Sequence, residues 1–198
     1  EQPRVELTCE NGILQGRGLG SSAAATVAGL LLARELIEDP QALNSFVLLQ
    51  LATEFEGHPD NAAPAIFGGA VVAWIDDDGA QSVPIMVHEN IRTTLLIPDT
   101  ELLTEKARSV LPAQVPHKDA AFNASRTALL VLALEHHPEY LLRATEEKLH
   151  QGYRAESMRA SADAMAELRE AGWPTVVSGA GPSLLVFAEL DEPTRERM

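Results

Sequence analysis

The sequence predicts an α+β fold in which helices and short strands share the chain. Three observations indicate it: alanine- and leucine-rich helical stretches in both halves, a strand pattern on either side of the turn Asp76 to Gly79, and short apolar runs near the C-terminal end. The pattern breaks weakly near residues 88–90. We therefore expect one domain over residues 1–88 and a second over residues 89–198.

The first half is expected to contain a strand, two helices and a hairpin. Polar and apolar residues alternate at its start, which predicts a half-buried strand that also buries Cys9. Two serines are candidate caps for the first helix, which stops before Pro40, and Gly57 ends the second. In chain order these elements cover residues 4–9 (strand), 21–37 and 41–56 (helices), and 70–75 and 82–87 (hairpin strands).

The second half restarts with a strand and continues through four helical stretches. Two further apolar strands close it, and a glycine-rich segment lies between them. The expected elements are a strand at residues 91–97, helices at 101–110, 120–135, 139–150 and 157–171, and strands at 175–177 and 183–188.

Composition excludes several classes of protein. The 198 residues carry 15 basic and 29 acidic side chains, a formal net charge of -14, so the surface repels nucleic acid and anionic lipid. A single cysteine excludes an internal disulfide framework, and no apolar run approaches the roughly 18 residues of a membrane span. We expect a cytoplasmic protein that acts on small molecules, and the sequence is compatible with a homodimer.

The strongest local signal is a glycine- and serine-rich loop that enters the first helix. Small residues let a ligand approach the backbone, and a helix start offers unpaired N–H groups to a phosphate. A serine hydroxyl can also ligate Mg²⁺, and we assign this to Ser22. The candidate nucleotide-binding residues are Gly16, Arg17, Gly18, Leu19, Gly20, Ser21, Ser22 and Ala23.

Two other interpretations of this loop remain open. Residues 18–23 also fit the loose dinucleotide pattern, with Glu38 and Asp39 near the position of a ribose-binding acid. However, a second helix follows the first, where a βαβ unit requires a strand. The loop could also be a capped turn without a ligand. It is not a Walker motif, because no lysine follows its last glycine.

A second cluster of polar residues, His58-Pro59-Asp60-Asn61, follows the second helix. Taken alone, it fits a helix start in which Asp60 or Asn61 is the cap and Pro64 lies in the first turn. Beside a phosphate loop it also fits phosphoryl transfer, which needs a carboxylate for the metal ion and polar groups that place the acceptor hydroxyl.

These motifs resemble those of the GHMP kinase family, specifically the members that phosphorylate homoserine. The residues that carry the resemblance are Gly18 to Ala24, the His-Pro-Asp-Asn segment, and three segments in the second half at residues 104–112, 150–154 and 178–183. The resemblance implies an N-terminal ATP-binding domain like the second domain of ribosomal protein S5 and a ferredoxin-like C-terminal domain. It also implies that each domain lacks one end here, so we expect little activity from the chain alone.

The resemblance implies transfer of the γ-phosphoryl group of MgATP to L-homoserine, a step toward threonine. It implies a metal ligand at Glu54, with Glu56 as the alternative, and catalytic roles for Asp60, Asn61 and Arg108. Residues implied to bind the substrate are His58, Asp60, Asn61, Arg108 and Arg154. The rival functions are those of another GHMP enzyme, such as a mevalonate-pathway kinase, and of a nucleotide-binding protein without catalysis.

Overall fold

The computed structural model describes residues 4–197, and the chain divides into two compact units. One comprises the residues up to Leu14 together with 20–85, and the other comprises residues 15–19 and everything from Met86 onward. The glycine-rich loop therefore contributes to both units: residues 15–19 belong to the second, and Gly20, which precedes the first helix, belongs to the first.

The first unit packs three helices against one hairpin. Asn44 caps the second helix by accepting the N–H groups of Phe46 and Val47, and Gly57 ends it in a left-handed conformation at φ +80°. The hairpin pairs seven residues of each strand in antiparallel register, from Ala70 with Ile85 to Asp76 with Gly79. The elements are α1 (Ser21–Leu36), a 3₁₀ turn (Pro40–Leu43), α2 (Ser45–Glu56), α3 (Ala62–Phe67), β1 (Ala70–Asp76) and β2 (Gly79–Ile85).

The core of this unit lies between its helices and the hairpin. Val27 of α1, Leu49 and Ala52 of α2, and the two alanines that begin α3 are almost fully buried together. The alanines at three of these positions let the three helices approach one another closely. The side chain of Gln50 adds a paired amide contact, because it donates to the carbonyl of Ala80 at 2.6 Å and accepts its N–H at 2.8 Å.

The strand predicted over residues 4–9 is wrong, as is the burial of Cys9. Residues 4–9 have no regular structure, and Val5, Leu7 and Cys9 are exposed. Alternation produces a strand only where a neighbouring strand accepts its backbone hydrogen bonds. In the part of the chain that the structure describes, β1 and β2 form a two-stranded sheet with each other alone.

The second unit combines a three-stranded antiparallel sheet with helices. Its strands lie in the order β3 (Thr94–Leu96), β5 (Leu184–Val186), β4 (Thr175–Val177), and Leu185 of the central strand lies opposite Leu95 on one side and Val176 on the other. Leu168, in the helix before β4, forms a buried cluster with Val186 and Leu190. The elements are β3 (Thr94–Leu96), α4 (Thr104–Ser109), α5 (His117–Glu135), α6 (Leu141–Ala144), α7 (Gln151–Arg154), α8 (Arg159–Glu170), β4 (Thr175–Val177), β5 (Leu184–Val186) and α9 (Glu192–Arg197).

The continuous helix predicted over residues 139–150 is wrong. A 3₁₀ turn, Pro138–Tyr140, precedes α6, which ends at Ala144, and the chain turns before α7 begins at Gln151. The side chain of Glu147 accepts the N–H groups of Leu149, His150 and Gln151. A side chain that takes these bonds offers the backbone an alternative to the helix, and one of the bonds comes from Gln151, the first residue of α7.

Within residues 4–197, no helix combines the length and the apolar character that a membrane crossing requires.

Candidate functional site

In the first unit, α1 begins without a side-chain cap. Gly20 precedes it in a left-handed conformation at φ +72°, and neither Ser21 nor Ser22 closes a capping hydrogen bond. The predicted serine caps are therefore wrong. The first-turn N–H groups and the positive end of the 16-residue helix remain available to an anion.

The side chain of Glu56 lies beside this helix start. Its Oε1 accepts a hydrogen bond from Ser22 Oγ at 2.9 Å and another from Thr26 Oγ1 at 3.0 Å. Glu54, two residues earlier on the same helix, is exposed. Of the two glutamates implied by the resemblance, the structure thus brings the alternative, Glu56, to Ser22.

Asn61 reaches the same place from the start of α3. A Cβ atom added to Gly20 would lie 3.4 Å from Asn61 Oδ1, so the amide side chain contacts the residue that precedes α1. Asp60 instead hydrogen-bonds to Nδ1 of His58 and is largely exposed. The first unit therefore gathers Gly20, Ser22, Glu56 and Asn61 at one helix start, with the His58–Asp60 pair in the preceding turn.

In the second unit, residues 16–18 are joined to two other segments. The carbonyl of Gly16 accepts the N–H of Leu102 at 2.9 Å, and Ser178 Oγ donates to the carbonyl of Gly18 at 2.9 Å. The guanidinium of Arg17 donates to the carbonyl of Asp99 at 2.7 Å and lies 3.6 Å from Glu101. Arg17 was predicted to bind nucleotide, yet these contacts direct its side chain toward residues 99–101.

Replacement of Gly18 by alanine is expected to disrupt this arrangement. Gly18 has φ +71°, and an added Cβ would overlap the carbonyl oxygen of Ser178 and lie 2.8 Å from the backbone N of Gly181. The left-handed conformation alone costs alanine about 1–2 kcal/mol, and the overlap adds to it. We expect a melting temperature lowered by several degrees. The control G12A, where an added Cβ meets nothing within 4 Å, should melt like the parent protein.

Arg154 is the most buried cation of the predicted substrate site, with 9% of its surface exposed. Its Nε donates to the carbonyl of Ala107 at 3.1 Å and its Nη1 to the carbonyl of Gly179 at 3.3 Å. Burial lowers the pKa of Arg154, the nearby carboxylate of Glu147 opposes this, and the positive charge of Arg108 adds to it. The positive charge of Arg108 thus acts on the guanidinium of Arg154.

Sequence reasoning did not single out Thr26 or Glu147. Thr26 lies one helical turn after Ser22, and that i, i+4 spacing places both hydroxyls on one face of α1. Glu147 lies seven residues before Arg154, at the turn that begins α7. The helical spacing of Thr26 was visible in the sequence, whereas the role of Glu147 depends on a helix break that the pattern did not predict.

Comparisons with known proteins identify relatives of this chain. Residues 1–69 match the family model described as the GHMP kinases N terminal domain. The chain is 50% identical over 185 residues to a homoserine kinase of Clavibacter michiganensis subsp. michiganensis, covering 93% of the chain and 58% of that protein. It is 48% identical over 187 residues to a homoserine kinase of Leifsonia xyli subsp. xyli, covering 94% and 58%.

A solved structure shares the fold of this chain. The crystal structure of homoserine kinase from Cytophaga hutchinsonii matches with a TM-score of 0.79 at 28% identity, over 94% of this chain and 61% of that one. The chain therefore belongs to the GHMP kinase family, and the predicted α+β fold of that family is confirmed. Within the family, the proteins that it resembles are homoserine kinases, and it spans 58% of the length of the two curated relatives above.

Proposed function

We propose that this chain supports the ATP-dependent phosphorylation of L-homoserine to O-phospho-L-homoserine, a reaction of threonine biosynthesis in the cytoplasm. The observation that carries the proposal is the convergence of Ser22, Glu56 and Asn61 on the uncapped start of α1. Phosphoryl transfer is catalysed mainly by positioning and by stabilising charge, and this cluster supplies groups for both tasks.

The start of α1 would hold the triphosphate. Its free N–H groups and positive helix end favour phosphate oxygens, despite the net charge of -14 over the whole chain. The hydroxyl of Ser22 and the carboxylate of Glu56 are oxygen ligands of the kind that Mg²⁺ prefers, and 2.9 Å separates their nearest oxygens. Mg²⁺ bound there would neutralise charge on the β- and γ-phosphates.

The acceptor hydroxyl would be placed by Asn61. The oxygen of the acceptor hydroxyl attacks the γ-phosphorus. The bond from that phosphorus to the oxygen that bridges it to the β-phosphorus breaks, and ADP leaves with the electron pair. A loose transition state needs little proton removal early in this step, so orientation by Asn61 is the main requirement. Asp60, held by His58, would receive the proton as the new ester forms.

The substrate's carboxylate would bind to Arg154 and Arg108. The hydrogen bonds of Arg154 go to carbonyl oxygens, and the single carboxylate of Glu147 offsets only one of the two positive charges of Arg154 and Arg108. A guanidinium binds a carboxylate through two parallel charge-assisted hydrogen bonds. This pair of arginines thus favours an amino acid over an uncharged alcohol as the acceptor.

A panel of acceptors tests the proposal. The complete gene product is assayed for ADP release with MgATP and L-homoserine, mevalonate or galactose, and we expect turnover with L-homoserine. Omission of Mg²⁺ should abolish it. Turnover with mevalonate alone would assign another family member's reaction, and ATP binding without turnover on any acceptor would indicate a nucleotide-binding protein without catalysis.

A further inference from the structure

Two hydroxyl groups of α1 bind the same oxygen of Glu56. Ser22 Oγ lies 2.9 Å and Thr26 Oγ1 lies 3.0 Å from Oε1, and both contacts link α1 to α2. Ser22 and Thr26 are one helical turn apart, so they approach the carboxylate from one helix face. With Oε1 bound twice, rotation of the carboxylate is restricted and Oε2 is left to other ligands.

The hydroxyl of Thr26 does not follow the usual pattern of a helical threonine. Such a hydroxyl commonly donates to the carbonyl four residues earlier in its own helix. Thr127 of α5 does so, since its Oγ1 donates to the carbonyl of Asn123 at 3.0 Å. Thr26 instead donates to a side chain of the neighbouring helix, 30 residues away in sequence.

We infer that Thr26 is a positioning residue for the cation site, because it holds Oε1 of Glu56 so that Oε2 faces the metal ion of MgATP. The inference rests on the proposed function. Ser22 can donate its proton to Oε1 while its oxygen lone pairs bind the cation. Thr26 then acts on the cation only through its hydrogen bond to Glu56. Its β-branched side chain restricts its hydroxyl to few rotamers.

The test measures cation binding directly. The wild-type protein and three variants, T26V, T26S and T127V, are titrated with Mn²⁺ in the presence of ATP. Free Mn²⁺ is followed by electron paramagnetic resonance, and binding to the protein is the difference from the same titration of ATP without protein. T26V keeps the shape of the side chain and loses the hydroxyl, so we expect about tenfold weaker cation binding, the effect typical of losing a hydrogen bond to a charged group. T26S should bind within about twofold of the wild type, and the control T127V should not differ.

Coupling to Glu56 separates positioning from a general effect on the fold. In a double-mutant cycle, T26V should change Mn²⁺ binding in the wild-type background and have no further effect in E56Q. Should T26V melt earlier than the wild type, the comparison of T26S with T26A at a temperature where both are folded replaces it.

The outcomes distinguish the inference about Thr26 from the proposed function. Equal Mn²⁺ affinity in T26V and the wild type, or an equal effect of T26V in the E56Q background, would overturn the inference for Thr26 alone. Wild-type protein that binds no Mn²⁺ with ATP would overturn the proposed function and the inference with it.

Discussion

Replacement of Glu56 by glutamine is expected to lower kcat at least about a hundredfold, because the site loses the negative charge that holds the cation. Glutamine keeps the size of the side chain and one oxygen for Ser22 and Thr26, so the fold should be unaffected. Steady-state rates at increasing Mg²⁺ measure the effect, and the Mg²⁺ concentration for half-maximal rate should rise as well.

The matching variant, Glu54→Gln, decides between the two glutamates. Glu54 is exposed and lies on another side of α2 from Glu56, so we expect its loss to change the rate less than about twofold. A large loss of rate in E54Q together with near-normal E56Q would restore Glu54 as the metal ligand.

Replacement of Arg154 by methionine is expected to raise the KM for L-homoserine about a hundredfold or more and to leave the KM for ATP nearly unchanged. The variant loses the two parallel charge-assisted hydrogen bonds to the substrate's carboxylate. Truncating one partner of such a buried pair costs about 2–5 kcal/mol of binding free energy. L-homoserine methyl ester, which lacks the carboxylate charge, should react equally poorly with the variant and with the parent enzyme.

Two control variants test whether the change in KM is specific to Arg154. Arg154 also links Ala107 and Gly179 through hydrogen bonds to their carbonyl oxygens. R154K is therefore measured, because lysine keeps the positive charge and loses the planar guanidinium. R159M removes an exposed arginine at the start of α8 and should have parent kinetics. An R154M enzyme whose KM rises for ATP but not for L-homoserine would contradict the assignment.

The hairpin and α1 were predictable because their signals are local. The turn after Asp76 marks the hairpin, and the alanine- and leucine-rich run before Pro40 marks α1 although its predicted serine caps are wrong. The error at residues 4–9 has a different cause, because a strand depends on a partner that the pattern does not reveal. The break before α7 depends on one side chain, Glu147, that competes for backbone N–H groups.

The choice between Glu54 and Glu56 shows how the site depends on packing. The buried face of α2 includes Leu49 and Ala52, and Glu56 follows them at helical spacings of seven and four. Glu54 is rotated about 200° from Glu56 around the helix axis. Once Leu49 and Ala52 are known to face α1, the position of Glu56 beside Ser22 follows. The assignment of residues 15–19 to the second unit had no comparable local signal.

The central claim is that the start of α1 binds the triphosphate of ATP. A crystal structure of the complete gene product with Mg²⁺ and a non-hydrolysable ATP analogue tests it most directly. Phosphate oxygens are expected within hydrogen-bonding distance of the N–H groups of residues 20–23, with the cation on Ser22 and Glu56. A triphosphate bound away from this helix start, with its N–H groups facing only water, would contradict it.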